Sequence, residues 1–189
     1  KLPEEFLKEL GVTDQIDLFD KQIVRITYRR QNGSMAERQR IRTALKANKG
    51  STWSKGKGCM MPYGLWKLKM AVEAKYLVIV EGESDAWTLW YHKFPALGLP
   101  GASMAKLLQP QYLKDIPRVY IVQEPDKGGE TFVEGVTRRL AEIGLTGSAF
   151  VLSLHGIKDP NELHKQSPEN FEAASKKAME DAVPAQTPI

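Results

Sequence analysis

The apolar and polar positions follow one pattern before residue 76 and another after it. In the first stretch, Glu4-Glu5-Phe6-Leu7-Lys8-Glu9-Leu10-Gly11 reads as a short amphipathic helix stopped by Gly11. Gln22-Ile23-Val24-Arg25-Ile26-Thr27-Tyr28-Arg29-Arg30 and the segment from Glu37 to Leu45 are rich in β-formers, and Gln31-Asn32-Gly33-Ser34 separates them. That arrangement predicts a hairpin. The polar, Gly- and Lys-rich stretch between Lys46 and Met61 predicts a mobile surface loop.

From Tyr76 onward strands alternate with helices. Tyr76-Leu77-Val78-Ile79-Val80 is a continuous apolar run, as expected of a strand buried on both faces, and a helix is predicted from Ser84 to Phe94. A short strand Ala96-Leu97-Gly98-Leu99 follows, then a helix over about Ser103 to Lys114, a strand from Arg118 to Gln123, a helix from Thr131 to Ile143 and a strand from Ser148 to Leu152. Such alternation implies an α/β fold with a parallel sheet and right-handed crossovers. Functional residues are then expected at the carboxyl ends of the strands.

Composition fits a folded chain: of 189 residues, 42% are hydrophobic and 26% charged. No apolar run approaches the roughly 20 residues that span a bilayer, and the start Lys1-Leu2-Pro3-Glu4-Glu5 lacks a signal-like pattern, so a cytoplasmic protein without a membrane partner is expected. One cysteine, Cys59, and three scattered histidines cannot build a zinc framework. Because residue 1 is Lys, the chain reads as a piece of a larger protein.

Charge divides the sequence more sharply than hydrophobicity does. Lys21 to Lys69 holds 13 Lys and Arg against one acid, Glu37, whereas residues 76–189 hold 11 bases against 15 acids. A basic part before an acidic one suits an enzyme that handles polyanions. Arg38, Arg40 and Arg42 recur with period two, which places them on one face of the second hairpin strand as a row suited to phosphate contacts. Lys55 and Lys57, interleaved with Trp53, suit single-stranded nucleic acid.

Three acidic clusters follow the predicted strands of the second part: Glu81 and Asp85, Glu124 and Asp126, and Asp159 with Glu162. Convergent carboxylates repel one another, and a hard divalent cation relieves that repulsion. Oxygen-only donors favour Mg²⁺ or Mn²⁺ over zinc. Gly128 and Gly129 precede the helix predicted from Thr131, where backbone N–H groups would face phosphate oxygens, and Lys127 is a further candidate phosphate contact.

Val80-Glu81-Gly82-Glu83-Ser84-Asp85 resembles the Glu-Gly-x-x-Asp motif of TOPRIM domains, the metal-binding fold of primases, topoisomerases and some nucleases. Gly98 matches the family's glycine, Glu124-Pro125-Asp126 stands at its Asp-x-Asp pair, and Lys158-Asp159-Pro160-Asn161-Glu162 resembles the Lys-Asp-Pro-Asp-Glu segment of primases. Glu124 and Asn161 depart from the Asp that the family usually has there. Upstream, Tyr28-Arg29-Arg30, Arg40-Ile41-Arg42-Thr43-Ala44-Leu45 and Pro62-Tyr63-Gly64-Leu65-Trp66 look similar to the region before TOPRIM in primases of phages and mobile genetic elements.

The resemblance implies a TOPRIM domain over 76–165, a basic α+β subdomain over 1–75 that shapes the template and nucleotide cleft, and a C-terminal helix and tail over 166–189. It implies primer synthesis on a single-stranded DNA template from nucleoside triphosphates, with Glu81 and Asp126 catalytic. Glu81, Asp85, Glu124, Asp126 and Asp159 would hold Mg²⁺ or Mn²⁺; Arg29, Arg30, Arg38, Arg40, Arg42, Lys55, Lys57 and Lys127 would hold nucleic acid or nucleotide. A replicative helicase and a zinc-binding module outside this chain are the expected partners. A TOPRIM nuclease and a non-catalytic DNA-binding scaffold are the alternative readings.

Overall fold

A computed structural model describes residues 1–44, 50–145 and 147–186. They form two compact units, residues 2–60 and residues 61–189.

The smaller unit begins with helix α1, Glu4–Glu9, and a four-stranded antiparallel sheet in the order β1 (Val12–Ile16), β2 (Gln22–Ile26), β3 (Arg40–Arg42), β4 (Ser51–Trp53). The predicted hairpin is β2 with β3, in which Val24 faces Arg42 and Ile26 faces Arg40. An isolated bridge between Arg29 and Met35 closes its tip. Two expectations change here. Ser51–Trp53, placed in a loop by composition, pairs with β3, and residues 45–49 of that loop lie outside the described residues. Val12–Ile16 adds an edge strand that is mostly exposed and therefore left no apolar pattern to read.

Gln39 holds the hairpin together. It is 1% exposed, its side-chain oxygen accepts from the Tyr28 backbone N–H, and its amide donates to the carbonyls of Tyr28 and Ala36. A buried amide satisfied on both sides replaces ladder bonds where β2 and β3 diverge.

The larger unit carries a five-stranded sheet in the order β6 (Ala96–Leu99), β5 (Leu77–Glu81), β7 (Val119–Val122), β8 (Ala149–Leu152), β9 (Val183–Pro184). The first four strands are parallel, as the alternating pattern requires; β9 adds antiparallel to β8. Helix α2 (Leu68–Ala74) precedes the sheet, α3 (Glu83–Tyr91) joins β5 to β6, α4 (Lys127–Glu142) joins β7 to β8, and α5 (Pro160–Gln166) and α6 (Phe171–Glu180) follow β8. Leu65, Leu68, Ile79, Leu97, Ile121, Phe132, Val136 and Leu140 pack in one buried cluster.

The helix expected over Ser103 to Lys114 does not form. Two 3-10 turns, Ala105–Leu107 and Pro110–Tyr112, take its place. Pro110 has no N–H to donate and drives the preceding Gln109 to an extended conformation, φ −117° and ψ 148°, so a continuous helix is interrupted there. Trp87 and Trp90 are buried, with the Trp87 indole N–H donating to the Tyr63 hydroxyl at 2.8 Å. Both rings lie in the buried interior of the larger unit.

Candidate functional site

The first two acidic clusters sit where a parallel strand ends and its helix begins, and the third stands at the start of α5, beyond the loop that follows β8. Glu81 is the last residue of β5; Gly82, at φ 88°, makes the turn that only glycine enters without strain, and α3 starts at Glu83. Across from it Gly98 in β6 packs against the backbone of Gly82, and a Cβ at Gly98 would collide with the Gly82 carbonyl. The Gly82 N–H donates to the Leu99 carbonyl at 2.6 Å. We expect Gly98→Ala to push β6 off β5 at this turn and lower stability by roughly 2–4 kcal/mol, an overpacking and strain effect that a denaturant titration would measure.

Glu124 and Asp126 follow β7. Asp126 caps α4, its carboxylate accepting the Gly129 N–H at 2.9 Å, so the helix starts at Lys127, four residues earlier than its apolar pattern indicated. The Gly129 N–H, expected to be open to phosphate, is thus already engaged. Gly129 is also the point where α4 meets the Glu124 backbone so closely that a Cβ would overlap the Glu124 carbonyl. Asp159 caps α5 in the same way, accepting from the Glu162 N–H at 2.8 Å, while the Glu162 carboxylate accepts from the Lys158 N–H at 2.7 Å.

Electrostatics ties these clusters together. Glu81 is half-buried, and burial, reinforced by the charges of Glu124 and Asp126, raises its pKa although the Ala102 N–H and Lys158 oppose the shift. Glu124 is likewise raised, first by burial, with Asp159 and Asp126 adding to it and Lys158 opposing. Lys158 is the cation among them: its ammonium lies 3.2 Å from Glu124 and 3.8 Å from Asp159. Burial dominates at Asp85, which is 5% exposed; its pKa is raised well above the ordinary carboxylate value, with Asp159 and Glu124 contributing repulsion.

Glu81 thus feels the charges of Glu124 and Asp126, and Glu124 those of Asp126 and Asp159, across the ends of the strands. Asp85 feels the charges of Asp159 and Glu124 but is buried and held by hydrogen bonds from another segment. Its Oδ1 accepts from the Asn161 side-chain amide at 2.8 Å and from the Asn161 backbone N–H at 3.4 Å, while the Thr88 hydroxyl donates to Asn161 Oδ1 at 2.5 Å. Among the described residues no three His, Cys, Asp or Glu side chains are close enough to cage one ion. The chemistry nonetheless fits a hard divalent cation: the donors are all oxygens, and two of them hold protons more tightly than usual because they are partly buried where negative charge is crowded. Lys158 and Asn161 lay within a motif noted in the sequence, yet nothing in their spacing disclosed that one would neutralise Glu124 and the other would hold Asp85.

In the smaller unit, Arg40 and Arg42 share a face of β3, with Arg40 directly opposite Trp53 and Arg42 opposite Ser51. The guanidinium of Arg38 lies 5.8 Å and that of Arg40 5.2 Å from the Trp53 ring centre, and Tyr28 meets the same ring edge-on. All three arginines are half-buried. The row is thus no bare fringe of charge: it lies beside the buried Ile26 and Tyr28, and the heads of Arg38 and Arg40 lie over the Trp53 ring. Arg30 is tied down by the Met35 carbonyl at 2.6 Å and Glu37 at 3.5 Å, Arg29 is half-buried, and Lys55, Lys57 and, in the larger unit, Lys127 are exposed.

No protein-family model matches the sequence, and neither does any curated protein sequence. Solved structures do match. The primase domains of bacteriophage T7, seen with the lagging-strand DNA polymerase, an RNA/DNA hybrid and dTTP, share 22% identity at a TM-score of 0.72, over 97% of this chain and 89% of that one. The DnaG catalytic core shares 17% identity at a TM-score of 0.71, over 97% of this chain and 70% of that one. A DnaG catalytic domain bound to single-stranded DNA shares 18% identity at a TM-score of 0.59, over 96% and 63%. The chain has the fold of bacterial and phage primase catalytic cores, with a mostly parallel sheet flanked by helices and an antiparallel hairpin sheet before it.

Proposed function

We propose that this chain is the catalytic core of a primase, joining nucleotides on a single-stranded DNA template in a reaction that depends on Mg²⁺ or Mn²⁺. The observation that carries the reading is that Glu81, Glu124, Asp126 and Asp159 follow successive parallel strands of a primase-core fold, with Glu81 and Glu124 raised by burial and by the neighbouring acids. Glu81, Glu124, Asp126 and Asp159 would hold the metal. Bound there, a divalent ion supplies activation of a 3′-hydroxyl and neutralisation of triphosphate charge.

The protein's own groups set the stage for that chemistry. Asp126 and Asp159 are fixed by the helices they cap, so their remaining oxygens are presented without rotamer search. Lys158 partly neutralises Glu124, and with a divalent ion held there its ammonium would be a partner for phosphate. Lys127, exposed and next to Asp126 in sequence, would be a second cation for phosphate. In the other unit, Arg38, Arg40 and Arg42 around Trp53, with Arg29, Arg30, Lys55 and Lys57, would track the phosphates of the template. The neighbouring structures with single-stranded DNA, with an RNA/DNA hybrid and with dTTP support these two ligand classes. A zinc-binding module and a helicase supplied by other segments or chains would hold the template in place.

The test is a primer-synthesis assay on single-stranded DNA with labelled nucleotides and Mn²⁺, run beside a plasmid-cleavage assay. Polymerised product supports the primase; cut plasmid with no polymerised product makes the same acids those of a nuclease.

The raised pKa values of Glu81 and Glu124 give a further expected result. Carboxyls that keep their protons above the usual range must release them when a cation binds, so Mn²⁺ affinity climbs as pH rises through those raised values. The same shifts make the metal-free fold lose stability as pH rises from the ordinary carboxylate value through the raised ones, because the folded state then holds more protons than the unfolded chain. Calorimetry in buffers of different ionisation enthalpy would detect the released protons, and pH-independent binding with no proton release would contradict the assignment.

A further inference from the structure

Asp85 is buried, it belongs to the motif after β5, and it is the acid of the set whose oxygen is already committed to hydrogen bonds with a distant segment. Its partner Asn161 stands at the second position of α5, two residues after Asp159 and three after Lys158. Asn161 is bound on both sides: its amide donates to Asp85, and its carbonyl oxygen accepts from Thr88 of α3. The same Thr88 hydroxyl lies 3.1 Å from the Ser84 carbonyl in the helix that carries Asp85. The bridge thus fastens the N-terminus of α5 to the first turns of α3.

The consequence reaches each acidic cluster. Asp159 is the cap of α5, Lys158 precedes it and pairs with Glu124 after β7, and Asp85 lies four residues beyond Glu81 at the end of β5. Moving the start of α5 would move Asp159 and Lys158 together, and with them the charge that Glu124 and Glu81 experience. The amide at 161 is chemically specific. It donates with nitrogen to a carboxylate and accepts with oxygen from a hydroxyl, which neither a second carboxylate nor an alkyl group can do.

We infer that Asp85 and Asn161 form a positioning pair that sets the third acidic segment, Lys158 and Asp159, against the first and second, and that Asp85 itself is not a metal ligand. This inference rests on the metal-dependent reading above for its consequence and on geometry alone for its existence. The pair acts through the residues it holds, and is expected to affect metal affinity as outer partners of ligands do, by about tenfold or more.

The experiment uses the full chain with three changes: Asn161→Asp, Asn161→Ala, and the exchange Asp85→Asn with Asn161→Asp, which restores one acid and one amide across the same contact. Amide hydrogen exchange is read in metal-free protein, and Mn²⁺ affinity by titration. In Asn161→Asp, where a second carboxyl would meet the buried Asp85, exchange across residues 158–162 should accelerate about tenfold relative to α4, and Mn²⁺ affinity should fall about tenfold. Asn161→Ala should show the same direction with a smaller effect, and covers the case in which Asn161→Asp fails to fold. The exchanged pair should return both quantities to within about threefold of the parent. Unaltered exchange at 158–162 in both single variants overturns the pair. Restored exchange and melting with Mn²⁺ affinity constant throughout overturns its positioning role and leaves a fold contact. If the parent chain binds no Mn²⁺, the proposed function falls, and the exchange measurement alone decides whether the pair holds α5.

Discussion

Glu81→Gln and Asp126→Asn are each expected to lower metal-dependent nucleotide transfer by roughly a hundredfold to a thousandfold while the protein stays folded. Both changes keep side-chain size and remove one negative charge from a crowded field. At Glu81 the charged form is disfavoured by burial and by the charges of Glu124 and Asp126, so glutamine relieves repulsion and the melting temperature of the metal-free protein should not fall. Asp126→Asn keeps an oxygen to accept the Gly129 N–H, and asparagine is as good a helix cap as aspartate, so α4 should persist. Mn²⁺ calorimetry on each variant, beside circular dichroism, separates the two effects. Unchanged Mn²⁺ affinity in both would remove these acids from the metal site.

Charge reversal at Arg38, Arg40 and Arg42 is the second large effect, expected on nucleic-acid affinity and not on chemistry. Each template phosphate that is no longer neutralised should reduce the slope of log affinity against log salt by about 0.7 for single strands. A triple Glu variant should bind single-stranded DNA weakly at low salt and respond little to added salt. Because these arginines are half-buried and two of them lie over Trp53, Gln in place of Glu is the better control for folding. Anisotropy titrations over a range of salt would measure both quantities. A full salt slope in the triple variant would show that other cations hold the strand.

The elements legible in the sequence are those with dense local signals. The runs Leu77–Glu81, Ala96–Leu99, Val119–Val122 and Ala149–Leu152 are apolar almost throughout, and the strands stand there within a residue or so of the expected bounds. Val12–Ile16 and Val183–Pro184 escaped because each is an exposed edge whose partners, not its own composition, make it a strand. Ser51–Trp53 escaped for the same reason, its ladder supplied by β3. At Pro110 a local rule was present and outweighed by apolar spacing: the ring broke a helix that periodicity alone predicted.

The candidate site divides along similar lines. Residue identities and their order settled that acids would follow strands in a parallel sheet, since the side-chain chemistry and the strand–helix alternation are both written locally. They settled too that the basic residues would concentrate in the first part of the chain. Only the tertiary structure decided how those acids differ. It buried Asp85 against Asn161, seventy-six positions away in sequence, put the Lys158 ammonium between Glu124 and Asp159, and laid Arg38 and Arg40 over Trp53. The physical reason is that burial and pairing depend on what another segment brings to the same point in space, and those two quantities fix whether a carboxylate serves as a ligand, a cap or a clamp.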